Sequence, residues 1–235
     1  MKHDFSLQAY QDIIQNLLKQ GYSVKNFETA SSNKKHLILR HDIDMSLGYA
    51  VQMAKCEQSI GVQATYFVLI RSDLYNCLTA ENKDCMNEIV SMGHSIGLHF
   101  DASLYEQTPE ALEIAVAQEC TLLQNFIGTN IKMVSFHRPA KNLYGYAPKL
   151  AGRMHAYQPK FFNDMEYCSD SNGDWHHGHP LDRSLDKAMQ LLTHPIWWVS
   201  KKDVDTQSKL DTYVENKIAS FKQSLADNCA SYKKP

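Results

Sequence analysis

The sequence predicts an α/β fold with strands and helices alternating around a mostly parallel sheet, and a barrel, complete or incomplete, fits it better than a doubly wound sheet. Three observations carry that reading. Segments of strand and helix character alternate from Leu7 to Asp227, giving six or seven βα units. No G-x-G-x-x-G follows the first strand, which argues against dinucleotide binding. Histidine and aspartate recur where strands end, and a barrel gathers those ends on one face.

Leu7, Ile13, Ile14, Leu17 and Leu18 recur at helical spacing, and Gly21 stops that helix. Leu37 to Leu39 is a short strand running into Arg40, His41, Asp42, Ile43 and Asp44. Ser46 caps a helix through Ser59, with Gly61 past its end. Ala64 to Ile70 is β-branched and aromatic, a buried strand. Glu81 to Met92 is helical and Gly93 ends it. His94 to Asp101 is the third strand. Pro109 opens a helix to Phe126 at an N1-like position, and Ile131 to His137 is the fourth strand. Phe161–Phe162 and Tyr167–Cys168 are short strand candidates. Ser184 to Gln190 is expected to be helical, Leu191 to Thr193 a strand, and Asp205 to Asp227 an amphipathic helix.

Length and composition bound the function. The 235 residues suffice for one domain, 1–235, with a full core and no need of disulfides. Hydrophobic residues are 43% and charged residues 21%, so disorder, collagen and coiled coil are excluded. The longest apolar-leaning run, Ser59 to Ile70, has twelve residues against the ~20 of a membrane span. Net charge is -2, leaving no basic surplus for a nucleic-acid backbone. The six cysteines are scattered without a C-x-x-C pair and read as free thiols. No apolar h-region follows the opening residues, so no secretory signal and a cytoplasmic location are expected. The eleven histidines are the unusual figure.

Those histidines mark the candidate site. The first strand ends in His41, Asp42 and Asp44, the third in His99 and Asp101, the fourth in His137 and Arg138, and a later one in His194. Strand residues alternate faces, so Asp42 shares a face with Asp44 and His99 with Asp101. Converging carboxylates and imidazoles are ligands for a divalent metal, with zinc, iron, cobalt, nickel or manganese all suitable. Two neighbouring aspartates allow one to hold the metal and the other to act as general base. Arg40 either pairs with a carboxylate such as Asp170 or Asp174 or caps a strand. Of Trp197 and Trp198, one packs in the core while the other offers a face to a sugar ring, with Trp175 competing for that role. The histidines of Trp175 to Pro180 read as a polar surface loop.

The segments Asp42-x-Asp44, Gly93 to His99, His137-Arg138-Pro139, Asp170-x-x-x-Asp174-Trp175 and Leu192-x-His194-Pro195 appear in an order that resembles the polysaccharide deacetylase family, the NodB-homology carbohydrate esterases. Within it the chain is most similar to a divergent branch associated with bacterial surface-polysaccharide synthesis. The resemblance spans about two-thirds of the chain, Arg40 to Pro195. It implies a distorted (β/α)7 barrel, one divalent metal ion with zinc foremost, and hydrolysis of N- or O-acetyl groups on a carbohydrate. It makes Asp42 the catalytic base, Asp44 and His99 metal ligands and His194 the general acid, with Asp170 and Asp174 supporting the site.

Two departures stand out. The family's second ligand histidine falls at Ser103, a poor ligand, and its Arg-x-Pro motif appears as His137-Arg138-Pro139, putting His137 in the inward position of the arginine. The third ligand is then His137, or Asp101 in phase with His99, or absent along with catalysis. Arg138 or a backbone N–H would hold the oxyanion, and Trp175 and Trp197 would contact substrate, an acetylated sugar that is nucleotide- or lipid-linked. A non-catalytic barrel that binds a glycan or partner, or another metal hydrolase on the same scaffold, is the alternative.

Overall fold

The computed structural model describes residues 4–176, 178–183, 186–199 and 204–232. Eight strands form one all-parallel sheet: β1 (Ser23–Val24), β2 (His36–Ile43), β3 (Thr65–Leu69), β4 (Ser95–Phe100), β5 (Met133–Phe136), β6 (Met154–His155), β7 (Glu166–Ser169) and β8 (Met189–Thr193). Seven of them run in the order β6-β5-β4-β3-β2-β8-β7, while β1 pairs with the start of β2. Sequence order therefore proceeds round a curled sheet, and β8 returns beside β2. Among the described residues no pairing joins β6 to β7, so the barrel is open there, a point the sequence pattern leaves undecided. Side chains bridge the gap. Buried Gln190 on β8 donates through Nε2 to the carbonyls of Ala156 (3.1 Å) and Phe161 (3.0 Å), just beyond β6.

The helices are α1 (Leu7–Lys19), α2 (Leu47–Ser59), α3 (Ala80–Ser91), α4 (Pro109–Ile127), α5 (Pro159–Phe162), α6 (Pro195–Trp198) and α7 (Thr206–Asn228). Five begin on a side-chain cap. Ser6, Ser46, Thr79, Thr108 and Asp205 each accept from the backbone N–H three residues on, satisfying a donor the helix itself cannot. Pro109 sits at the start of α4 as expected.

Three expectations are corrected. Phe161 and Phe162 form the short helix α5, opened by Pro159, rather than a strand. The helix expected over Ser184 to Gln190 is not one where the chain is described: Met189 and Gln190 already belong to β8, paired with β2 and β7 (residues 184–185 lie outside the described residues). Strand β2 is eight residues long and carries Arg40 to Ile43 within it, because β8 pairs with it as far as His41 and β3 as far as Ile43.

Outside the barrel, α2 covers the sheet with a buried polar knot. Glu57 takes hydrogen bonds from Tyr10 Oη (2.6 Å) and Tyr66 Oη (2.5 Å) and faces His41 Nε2 at 2.8 Å. Burial alone would raise the Glu57 pKa; the neighbouring His41 and these hydrogen bonds hold it below the usual value. His41 Nδ1 in turn meets the Thr193 hydroxyl at 2.7 Å, tying β2 to β8 beside His194. The six cysteines are free thiols, and no described helix is long and apolar enough to cross a membrane.

Gly97 shows how tightly the sheet packs. A Cβ there would lie 2.5 Å from the Phe67 ring and 3.0 Å from the Met133 carbonyl. Gly97→Ala is expected to destabilise the fold by ~1–3 kcal/mol, the usual cost of overpacking. Chemical denaturation measures it, and an unchanged midpoint would refute this account of the glycine.

Candidate metal centre and its acid–base partners

Parity along the strands builds the site. Arg40 and Asp42 are two apart on β2 and both face the barrel interior, while His41 between them faces α2. Arg40 grips Asp42 with two bonds, Nε to Oδ1 at 3.0 Å and Nη2 to Oδ2 at 2.7 Å, with both side chains buried. The guanidinium lies over the Tyr157 ring, 4.7 Å from its centroid, and also donates to Gln190 and to Tyr157 Oη. Burial would raise the Asp42 pKa; the adjacent Arg40 charge, the charges of His99 and His194 and the Arg40 hydrogen bonds together outweigh it, so the carboxyl stays below its ordinary value and ionised.

From Asp42 a hydrogen-bond chain runs to the histidines. Ser135 on β5 donates its hydroxyl to Asp42 Oδ1 (3.2 Å). With its proton committed there, Ser135 Oγ accepts from His99 Nδ1, 2.7 Å away. His99 Nε2 then points outward, 3.1 Å from Asp44 Oδ1 and 3.1 Å from His137 Nδ1. His137 Nδ1 is 3.3 Å from the same Asp44 oxygen.

Three electron-pair donors thus face a common point. With Nδ1 engaged by Ser135, His99 keeps Nε2 for Asp44, for His137 or for a cation between them. Tetrahedral ligands at ~2.0–2.1 Å from zinc stand about 3.3 Å apart, close to the spacing seen here. Asp44, His99 and His137 are the one such cluster among the described residues, and they fit a divalent ion. Burial would raise the Asp44 pKa, but hydrogen bonding to His137 and His99 and the charge of His194 hold it well below its ordinary value.

Asp101, the other candidate ligand, is turned to another task. It caps a short turn at Ala102–Leu104, its Oδ1 accepting from Ser103 N (3.0 Å) and Ser103 Oγ (2.6 Å). Ser103 is thereby occupied too.

His194 stands opposite, its Nε2 3.9 Å from Asp44 Oδ2. Its Nδ1 contacts Asp170 Oδ1 at 2.6 Å. Asp170 is fully buried and is held by Trp198 Nε1 (2.6 Å) and the His194 backbone N–H. Burial would lower the His194 pKa, yet the Asp170 carboxylate more than offsets this and lifts it to about 9.

The expected outer residues divide. Arg138 lines the cavity over this cluster; it is exposed, in the left-handed region at φ 46°, with no partner among the described residues. Trp197 lines the cavity as well, while Trp198 is the core member of the pair. Trp175 does not reach the cavity: it is buried, stacked on Phe5 at 5.9 Å and packed against Trp198. The substrate contact expected of it is corrected to a packing role behind Asp170. Among the described residues Asp174 makes no contact with the cluster: its exposed carboxylate turns back to the Trp175 N–H and lies 4.0 Å from His176.

Sequence reading left the Arg40 partner open and missed Ser135. The alternation of β2 and β5 could have found both, since Arg40 shares a face with Asp42, and Ser135 with His137.

No family model matches the chain, and no curated protein does. Among solved structures it resembles a deacetylase from Streptococcus pyogenes, PplD, in complex with acetate, at 14% identity over 88% of this chain and 86% of that one, TM-score 0.45. It also resembles a family 4 carbohydrate esterase from Bacillus anthracis (18% identity, 88% and 86% coverage, TM-score 0.44). A third is a family 4 acetyl xylan esterase from Clostridium thermocellum in complex with a cobalt ion (16% identity, 78% and 83% coverage, TM-score 0.41). At these identities and scores the likeness is one of outline, and the residues described above carry the chemistry.

Metal binding is expected to require all three residues of the cluster. Asp44→Ala, His99→Ala and His137→Ala should each weaken zinc affinity in titration calorimetry by more than the ~10–100-fold that outer residues cost. Asp101→Asn should leave it within about threefold on the same scale. Full affinity in His137→Ala would reject the cluster.

Proposed function

We propose that residues 1–235 form one catalytic domain, a metal-dependent carbohydrate deacetylase of the polysaccharide deacetylase type. One observation carries the reading: Asp44, His99 and His137 converge to 3.1–3.3 Å between an ionised carboxylate, Asp42, and a His194–Asp170 pair. A divalent ion held by those three residues, zinc foremost, supplies a Lewis acid for an acyl carbonyl and lowers the pKa of water toward ~7.

The protein's own groups do the rest. Asp42, held ionised by Arg40, takes the proton of the attacking water. Ser135 and Arg40 fix its carboxylate plane so that the accepting oxygen does not swing. His194 is protonated at neutral pH and gives its Nε2 proton to the departing amine or alkoxide. Arg138 and a backbone N–H oppose the charge that develops on the acyl oxygen. Trp197 offers an apolar wall to the sugar.

The cavity holds about 1560 Å³, beyond the ~300–1,000 Å³ usual for small ligands. That size, with the free guanidinium of Arg138 on its lining, supports an acetylated sugar attached to a nucleotide or lipid rather than a lone monosaccharide. The testing experiment is an acetate-release screen over N- and O-acetylated sugars and nucleotide-sugars, with metal content measured on the same protein. Metal without acetate release from any of them would assign a different hydrolysis. No metal at saturating zinc would assign a non-catalytic barrel.

Asp42→Asn and His194→Ala are expected to lower kcat by ~10²-fold or more while metal stoichiometry stays at wild type. Steady-state kinetics with elemental analysis separates this from loss of the ion, and wild-type turnover in either variant contradicts the assigned roles.

The alkaline limb of the kcat/KM profile should belong to His194. The acid must be protonated, so activity falls as pH rises through its pKa. Asp170→Asn removes the charge that raises this pKa, so the limb should move to lower pH; an unmoved limb would assign it to another group.

A further inference from the structure

Helix α7 leaves the body of the protein after its second turn. Lys209 and Tyr213 are its buried residues. Lys209 Nζ donates to the carbonyls of Phe5 and Trp197, at 2.6 Å each, and Tyr213 Oη to those of Met45 (3.0 Å) and Leu74 (2.9 Å). From Val214 to Asn228 every side chain is exposed or half-buried.

The apolar face of that segment is not the face that meets the body. At about 100° per residue, the line through Lys209 and Tyr213 continues through Ser220, Ser224 and Asp227, all polar. Val214, Ile218, Phe221 and Leu225 form a second line, roughly a quarter to a third of the way round the helix. Val214 and Ile218 are each 51% exposed and Phe221 66%. The segment from Val214 to Asn228 has little tertiary support and stands near the ~12–15-residue limit of isolated helices, so a stripe with three exposed apolar side chains and a half-buried Leu225 is a face that a partner would stabilise.

The spacing of the stripe, four, three, four, is that of d-a-d-a positions in a coiled-coil seam. The flanks then decide orientation. Positions e are Glu215 and Lys222, and the position g before Ile218 is Lys217. A parallel pair sets g of one helix against the next e of the other, bringing Lys217 against Lys222 of the second copy, twice. An antiparallel pair sets e against e, bringing Glu215 against Lys222 of the second copy, also twice. It stacks Ile218 on Phe221 and Val214 on Leu225.

We propose that α7 is a self-association element: it pairs antiparallel with α7 of a second copy of this chain through Val214, Ile218, Phe221 and Leu225. The flanking Glu215–Lys222 pairs select this orientation over the parallel one. The seam spans about three turns, so association is reversible and concentration-dependent.

Sedimentation velocity on the full chain over a concentration series tests this. A monomer–dimer equilibrium is expected, with Phe221→Asp and Ile218→Asp each weakening the dimer at least tenfold. Both positions are exposed, and unchanged zinc binding verifies that the variants are folded. Glu215→Lys alone should weaken the dimer, and Glu215→Lys with Lys222→Glu should restore it at moderate salt. A chain that stays monomeric up to its solubility limit overturns the proposal. So does a dimer indifferent to Ile218 and Phe221, which uses another surface. A dimer that needs both residues but ignores the charge exchange overturns the antiparallel orientation.

Discussion

The buried pair of Arg40 and Asp42 is the constraint around which the site is arranged. Two charges taken out of water are costly unless geometry and further hydrogen bonds compensate, and removing one partner of such a pair typically costs ~3–5 kcal/mol. Here the guanidinium finds two partners besides the carboxylate. Gln190 from β8 and Tyr157 from beyond β6 accept from it, so one arginine ties β2 to both sides of the barrel's opening. The carboxylate passes the constraint on through Ser135 to His99, fixing the orientation of its ring. The direction of His99 Nε2 toward Asp44 is thus tied to an ion pair two residues before Asp44 in the chain.

Environment separates the roles of the carboxylates. Asp42 is neutralised by an arginine and remains ionised. Asp44, at the end of β2, faces two imidazoles and is available to a cation. Asp170 has no arginine; Trp198, the His194 backbone N–H and the His194 ring satisfy it, so its charge acts on one imidazole. The opposite face of the sheet reinforces this order. Thr193, between the inward residues Leu192 and His194, is held by His41, itself held by Glu57. Side chains buried behind the sheet thereby hold the strand end that carries His194.

Much of the site was legible because strand alternation is a strict rule: placing Asp42, Asp44, His99, His137 and His194 at strand ends needs only the period of two and a parallel sheet. That His137 faces His99 across β4 and β5 was readable for the same reason. Local patterns shorter than a helical turn were not. Phe161 and Phe162 are apolar in either state, and Pro159 at the first helical position was the only sign of helix. Around Met189 the strand begins two residues earlier than its apolar run suggests, because Gln190 faces the interior and is satisfied there by Arg40 and two carbonyls. Trp175 failed as a substrate contact for a non-local reason. Phe5, 170 residues earlier in the chain, covers its ring, and no pattern around Trp175 reports that.

Anomalous diffraction at the zinc edge, from crystals grown with zinc, measures the central claim directly. The account predicts one strong peak, ~2.0–2.2 Å from Asp44 Oδ1, His99 Nε2 and His137 Nδ1, with Asp42 and His194 outside bonding distance. A peak bound by Asp101, or one from which His137 stands more than about 4 Å away, would contradict it.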